Sequence, residues 1–311
     1  MNSVIEISGG ILGAVMLYYG ADYLISGGVS LAKKLHIPTL VIGLTLVAFG
    51  TSAPELVVSI DAGIKGHGDI AAGNIIGSNI CNVALILGLC SVICPLNVNK
   101  KLFKIDLPVL LGSAVLFSLF VFLTGGINRW QAAIFAVGLI SYTLVRVFFD
   151  REDVEAEANE NASNSSVLKM ILSIIGGLAA LVFGAKFFVN GAVCIARLCN
   201  VSEAIIGLTI VALGTSLPEL ATSVIASIKK EGDIAIGNIV GSNIFNILAI
   251  MGIAPLITPM ATPGINLLDL AVMLLCSVLL ILFMRTGYLI SRIEGIIFLV
   301  IYFAYPLIRI F

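Results

Sequence analysis

Charge is scarce in this sequence. Asp, Glu, Lys and Arg supply only 11% of the 311 residues, against about 25% in a soluble globular domain. Water is therefore not the main solvent of the chain. The formal net charge is −1, which gives no electrostatic reason to expect a nucleic-acid partner. The six cysteines (Cys81, Cys90, Cys94, Cys194, Cys199, Cys276) lie in or beside apolar segments. They show neither metal-ligand spacing nor a secreted disulfide pattern and read as small packing residues. His36 and His67 fall in loops, with no partner at ligand spacing. No Ser–His or Asp–Asp set lies within the apolar stretches, so a membrane-embedded hydrolase would lack its nucleophile and base. The chain reads as a non-enzyme that needs no cofactor.

Apolar residues are what is there: 59% of the chain. Runs of about 20 residues, the length that crosses a bilayer, recur from end to end. The spacing predicts an all-α membrane protein of ten spans, at about 4–31, 38–63, 70–94, 103–124, 130–148, 167–196, 203–228, 234–258, 266–285 and 289–309. The first run has no basic n-region and is too long and too glycine-rich for a signal peptide. One segment, 150–166, is polar and acidic with no apolar period, and reads as a solvated linker.

Lysine and arginine set the orientation. Lys33, Lys34, Lys100, Lys101, Lys104, Arg146, Arg151, Lys169, Lys229, Lys230, Arg285 and Arg292 fall on one side of the expected topology. Only Lys65, Arg129, Arg197 and Arg309 fall on the other. The crowded side is expected to be cytoplasmic, with the linker, and both termini outside a cell membrane.

The sequence repeats itself 164 positions on, from Glu55 to Glu219. Ile42 opens I-G-L-T-L-V-A-F-G-T-S-A-P-E-L, and Ile206 opens I-G-L-T-I-V-A-L-G-T-S-L-P-E-L. The segments G-D-I-A-A-G-N-I-I-G-S-N-I-C-N, ending at Asn82, and G-D-I-A-I-G-N-I-V-G-S-N-I-F-N, ending at Asn246, match in the same register. The register divides the chain into residues 1–149, the linker 150–166 and residues 167–311. An odd number of spans per half turns the second half upside down. The expectation is two inverted five-helix repeats, with a binding site near the midplane where they meet.

Glu55 and Glu219 stand in the best-matched segments, read as mid-helix positions in apolar surroundings. An ionised carboxylate there costs several kcal/mol unless it is paired or bound to a cation. No basic residue stands in the same segment. Pro54 and Pro218 lack an N–H and free carbonyls one turn back. Helical spacing sets Thr51 and Ser52 on the face of Glu55, with Ala48 one turn further. Thr215, Ser216 and Ala212 repeat this around Glu219. In the following helices Asn74, Ser78 and Asn82 form one polar stripe, and Asn238, Ser242 and Asn246 copy it. Gly73 and Gly77, like Gly237 and Gly241, read as faces for close helix packing. Every ligand in this set is an oxygen. Such a set suits a hard cation such as Ca²⁺, not a soft transition metal.

The paired G-T-S-x-P-E and G-N-x-x-G-S-N-x-x-N motifs resemble the cation/Ca²⁺ antiporter superfamily, specifically its sodium/calcium exchanger branch, over nearly the whole chain. The proton-driven branch typically has G-N-A-x-E where this chain has G-T-S-x-P-E, which favours sodium. The resemblance implies Ca²⁺ at Glu55 and Glu219 with the carbonyls of Thr51 and Thr215. It implies Na⁺ sites at Ala48, Ser52 and Ser78 and at Ala212, Ser216 and Ser242, with Asn82 and Asn246 lining the centre. It further implies three Na⁺ per cycle, and a sliding gate formed by the first and sixth helices. Some exchangers of this type carry an aspartate where Asn246 stands, which weakens any case for K⁺ co-transport. The partners implied are Ca²⁺, Na⁺ and the bilayer, with one site per chain. A proton-driven antiporter and a passive channel remain the alternatives.

Asp69, Asp233, Asp106 and Asp269 all stand at expected helix starts and read as caps. Asp61 reads as a solvated helix end. Asp22 in the first helix has Lys186 as its counterpart in the sixth, and either a gate ion pair or snorkelling accounts for them. The sequons at Asn161 and Asn200 are weak signals.

Overall fold

A computed structural model describes residues 2–152, 166–201, 206, 210 and 212–310. The side chains of Asn2, of residues 147–152, of Ala212 and of Ile310 lie outside that description, as do residues 153–165 of the expected linker. The protein is an all-helical membrane protein. In chain order the helices are α1 (Asn2–Leu35), α2 (Thr39–Thr51), α3 (Ala53–Ile64), α4 (Gly68–Ile93), α5 (Asp106–Thr124) and α6 (Arg129–Glu152). After the linker come α7 (Val167–Leu198), the short α8 (Ala212–Gly214), α9 (Leu217–Ile228), α10 (Gly232–Ile257), α11 (Leu267–Arg285) and α12 (Arg292–Ile310).

Among the described residues, six helices are long and apolar enough to cross a membrane: α1, α4, α5, α7, α10 and α11. The pair α2–α3, bent by 45°, makes a seventh. Helices α6 and α12 are not among them; each carries an arginine at both ends of its apolar stretch (Arg129 and Arg146, Arg292 and Arg309). The expected span 203–228 is described mainly from residue 212 onward, where α9 is too short to cross alone. Helices α4 and α10 are the centre of the molecule, 78% and 83% buried over their apolar windows, whereas α1 and α7 are 22% and 28% buried and lie at the periphery.

Proline sets the bend. Pro54 sits in the first turn of α3, where its missing N–H breaks no helical bond. Ser52 before it leaves helical geometry at φ −82°, ψ 2°. Pro218 and Ser216 (φ −88°, ψ 4°) repeat this ahead of α9. Glu55 and Glu219 are therefore not mid-helix, as the apolar run suggests. Each lies in the first turn of a new helix, just past a break. Single π-helical stretches interrupt α2 at Gly43–Val47, α4 at Cys81–Leu87 and α10 at Asn246–Ile250. Such bulges widen a helix locally and often mark functional positions.

Helices α1 and α7 pack through glycine. A Cβ on Gly13 would stand 2.6 Å from the Gly184 carbonyl oxygen, and one on Gly177 2.7 Å from that of Gly20. The glycines of α1 and α7 thus meet one another. Gly177→Val is expected to lower the thermal midpoint by the equivalent of about 1–3 kcal/mol of overpacking, measured in detergent. Gly176→Val, next to open space, is the control and should leave the midpoint unchanged; an equal fall in both would refute the packing argument. Gly237 and Gly241 also pack closely, each within 2.9 Å of the α2 backbone once a Cβ is added. Gly73 and Gly77 do not: a Cβ on Gly77 meets nothing within 4 Å among the described residues. That half of the small-residue expectation is corrected.

Two short antiparallel pairs cross the molecule. Leu96–Asn97 pairs with Leu289–Ile290, and Gly126–Ile127 with Met260–Ala261. Both tie a loop before the linker to a loop after it.

The expected caps are only partly caps. Asp269 does form a capping box with Asn266, and also accepts from Tyr305 Oη at 2.8 Å and Arg309 Nε at 3.0 Å. Asp106 makes no capping bond; it is buried and takes Tyr142 Oη at 2.9 Å and Arg146 at 3.3 Å. Asp69 accepts the Gly264 N–H at 2.8 Å instead of capping its own helix. The sequence hides these links because the partners lie far along the chain.

Candidate cation site

The breaks ahead of α3 and α9 bring Glu55 and Glu219 together in the core. Their exposures are 1% and 0%, so each carboxylate must be served by protein or by a ligand. Each also lies at a helix N-terminus, whose dipole favours negative charge. The first contacts cross between the halves of the chain. Ser52 Oγ donates to Glu219 Oε1 at 2.9 Å, and Ser216 Oγ lies 3.3 Å from Glu55 Oε1. Ser216 Oγ is also 3.4 Å from Ser78 Oγ. On the other side Ser242 Oγ reaches the carbonyl of Ala48 at 3.4 Å.

A second layer holds this arrangement. Asn74 Nδ2 donates to Ser59 Oγ at 3.0 Å and lies 3.5 Å from the Glu55 carbonyl. Asn238 Nδ2 does the same with Ser223 Oγ at 2.9 Å and the Glu219 carbonyl at 3.5 Å. These two asparagines, the first members of each polar stripe, brace the glutamate helices from the side. Thr51 Oγ1 bonds back to the Val47 carbonyl at 3.1 Å and to Asn238 Oδ1 at 3.0 Å. Thr215 Oγ1 is buried without a partner. The side chain of Ala212 lies outside the described residues.

Four residues went unread in the sequence. Ser59 and Ser223 hold Asn74 and Asn238, while Asn243 holds Asn82 and Asn79 holds Asn246. The signal for the asparagines was present, as the last letter of G-S-N in both repeats. They stand one residue off the polar stripe, so the helical spacing passed over them.

What the cluster can do follows from what it leaves unsatisfied. Glu55 Oε2, Glu219 Oε2, Asn82 Oδ1 and Asn246 Oδ1 are buried and have no hydrogen-bond partner. A buried polar atom left unserved costs about 1–3 kcal/mol, and more when charged. All four are acceptors, and among the described residues neither glutamate forms an ion pair. Nor, among those residues, is there any group of three or more His, Cys, Asp or Glu that could hold a metal. Two carboxylates ringed by hydroxyl, amide and carbonyl oxygens fit a hard cation. They do not fit a metal that wants nitrogen or sulfur.

Basic residues nearby are occupied elsewhere. Lys229, just beyond α9, forms an ion pair with Asp22 of α1 and donates to Ser26 Oγ at 3.0 Å. Lys65, at the corresponding end of α3, pairs with Asp61 at 2.7 Å on the surface. Asp22 thus pairs with α9, while its counterpart Lys186 is exposed.

Comparisons with known proteins identify the family. The profile of the family described as sodium/calcium exchanger protein matches twice, over residues 6–148 and 169–311. A putative antiporter, CaxA, of Alkalimonas amylolytica is 37% identical over 309 residues, covering 95% of each chain. The sodium/calcium exchanger MaX1 of Methanosarcina acetivorans is 34% identical, again over 95% of each chain. Among solved structures, the sodium-calcium exchanger NCX_Mj soaked with 10 mM Na⁺ and 10 mM Sr²⁺ superposes with a TM-score of 0.85. The identity is 34%, and the match covers 97% of both chains. Two matches to one family profile, full-length relatives and a shared fold leave one conclusion: this chain belongs to the sodium/calcium exchanger family, as a prokaryotic-type cation/Ca²⁺ antiporter.

Proposed function

We propose that this antiporter exchanges Na⁺ for Ca²⁺ by alternating access at the Glu55–Glu219 site, between two inverted five-helix halves in a cell membrane. The observation that carries the reading is the pair of buried carboxylates, each with one oxygen held by a serine from the other half and one oxygen unpartnered. One Ca²⁺ balances both charges. Its ligands are Glu55, Glu219 and the carbonyls of Thr51 and Thr215. Na⁺ takes the flanking oxygens at Ala48, Ser52 and Ser78, and at Ala212, Ser216 and Ser242, with Asn82 and Asn246 between them. The G-T-S form of both motifs favours sodium over protons.

Asymmetry between the halves supports alternating access. Helix α1 packs along α9, where Leu17, Ala21 and Leu24 join one apolar cluster with Leu217, Ala221 and Ile225. The Asp22–Lys229 pair closes the end of that seam. The corresponding face of α3 is not covered in this way: Val57 is 66% exposed and the Asp61–Lys65 pair lies at the surface. Tight packing on the side of Lys229 without a counterpart on the side of Lys65, around carboxylates that stay buried, is an asymmetry of the kind such a carrier needs. With the lysine-rich side cytoplasmic, the packed end faces the cytosol and both termini face outward.

The test is Ca²⁺ uptake into vesicles reconstituted with the purified protein, with and without an outward Na⁺ gradient. Uptake that needs the gradient is the expected result. Uptake that ignores Na⁺ but follows a pH gradient would establish the proton-driven alternative, and uptake without any counter-ion a channel. A finer outcome concerns the serines. Ser52→Ala and Ser216→Ala each remove a hydroxyl that suits a monovalent ion. The half-saturating Na⁺ concentration should rise several-fold more than that for Ca²⁺, since a neutral hydrogen-bonding ligand contributes about 1 kcal/mol. Equal loss of both affinities would mean that the serines only hold the carboxylates in place.

A further inference from the structure

Four asparagine side chains meet between α4 and α10, all of them buried: Asn79 and Asn82 on one helix, Asn243 and Asn246 on the other. Asn82 Nδ2 donates to Asn243 Oδ1 at 2.9 Å, and Asn243 Nδ2 donates to the backbone carbonyl of Asn79 at 3.3 Å. A side-chain amide has a donor end and an acceptor end of nearly equal shape, so its neighbours decide which way it points. A backbone carbonyl can only accept.

This polarity passes along the chain of contacts. Facing the Asn79 carbonyl, Asn243 must present Nδ2. Its Oδ1 then faces Asn82, which must present Nδ2 in turn. Turning Asn82 end for end would set two acceptors against each other, and turning Asn243 as well would only move that clash to the Asn79 carbonyl. The atom left over is Asn82 Oδ1, which is buried and has no protein donor. A cation wants that oxygen; the NH₂ end in its place would repel one.

Resting on the exchange reading above, we propose that Asn243 is a positioning residue for cation binding. It touches no ion, but fixes the amide of Asn82 so that the oxygen, not the nitrogen, is offered to Ca²⁺ or Na⁺. The device needs both halves of the chain, because the donor lies after the linker and the carbonyl that anchors it before. Asn82 is the second residue of the π-helical stretch Cys81–Leu87, three residues on from Asn79 along α4. The Asn79 carbonyl and the Asn82 side chain engage the same asparagine of α10.

The experiment is a double-mutant cycle on the purified full-length protein, reading thermal unfolding over a Ca²⁺ titration. Asn82→Ala deletes the oxygen and should weaken apparent Ca²⁺ affinity about tenfold, the equivalent of one ligand hydrogen bond or its like. Asn243→Ala should do nearly the same while it has Asn82 to act through. In the Asn82→Ala background, Asn243→Ala should cause no further loss, since coupled residues are non-additive. Asn243→Leu, which keeps the volume without polar atoms, replaces the alanine if that variant fails to fold. A structural role would lower the ion-free midpoint and add equally in both backgrounds, and would overturn the proposal. Were the wild-type protein not stabilised by Ca²⁺ at all, the exchange reading would fall and the proposal with it. A wild-type response with fully additive losses sinks the positioning role alone.

Discussion

Glu55→Gln and Glu219→Gln each reduce Na⁺-driven Ca²⁺ flux by about a hundredfold or more, while the ion-free protein unfolds no earlier than the wild type. The size follows from the burial. Removing one charge from a buried ionic arrangement costs about 3–5 kcal/mol of the interaction it made, and 1.4 kcal/mol is tenfold. Glutamine keeps an oxygen for the serine of the other half, so the Ser52–Glu219 and Ser216–Glu55 contacts retain their geometry. It replaces the other carboxylate oxygen, now unpartnered, with an NH₂ group that faces the cation. The ion-free state gains, because it no longer holds an uncompensated buried charge. The variants should therefore show an unchanged or raised thermal midpoint without ions. They should also lose the stabilisation that Ca²⁺ gives the wild type by binding the folded state. Flux measured in vesicles and unfolding measured on the same preparations check both halves. Variants that transport Ca²⁺ at the wild-type rate would remove Glu55 and Glu219 from the site.

Much of this site was legible in the sequence, because a polar residue in an apolar run needs a reason and the repeat supplied each reason twice. Glu55, Ser52 and Asn82, with Glu219, Ser216 and Asn246, could be picked out by type and register alone; all six are buried, and the serines meet the glutamates across the halves. What the sequence could not supply is which half serves which. Helical spacing put Ser52 on the face of Glu55, yet its hydroxyl bonds Glu219. A proline after a serine signals a bend, but only three dimensions show that the bend turns each serine across the interface. The π stretches were hidden for a similar reason, since an extra residue in a turn leaves no mark on composition. Long-range partners such as Tyr142 for Asp106 and Gly264 for Asp69 were hidden by distance along the chain. A local reading therefore made caps of residues that in fact tie helices together. The glycines divide in the same way. Gly237 and Gly241 pack as read, whereas Gly73 and Gly77 do not, because what packs on a helix face depends on the conformation and not only on the residues that line it.

Transport is expected to be electrogenic. The carboxylates of Glu55 and Glu219 hold two negative charges in a buried site, and one Ca²⁺ neutralises them. Emptied of Ca²⁺, the site cannot cross a low-dielectric barrier until other cations restore that balance. Two Na⁺ would suffice. A third makes the loaded carrier positive, and three is the number proposed here, with serine and carbonyl oxygens on both sides of the carboxylates to hold the outer ions. Three Na⁺ entering for one Ca²⁺ leaving carry one net positive charge inward. An inside-negative potential then drives Ca²⁺ out, by about 2.3 kcal/mol per 100 mV. That corresponds to about a fiftyfold shift in the Ca²⁺ ratio the carrier sustains at equilibrium. The measurement uses vesicles with a fixed Na⁺ gradient and the potential clamped by valinomycin and K⁺. Each change in the K⁺ ratio should move both the initial rate and the final Ca²⁺ ratio. A final ratio that follows the Na⁺ gradient but ignores the clamp would mean two Na⁺ per Ca²⁺, with the serine and carbonyl oxygens outside the carboxylate pair holding no third ion. A ratio that ignores Na⁺ and tracks an imposed pH difference would mean that protons, not sodium, discharge the two glutamates.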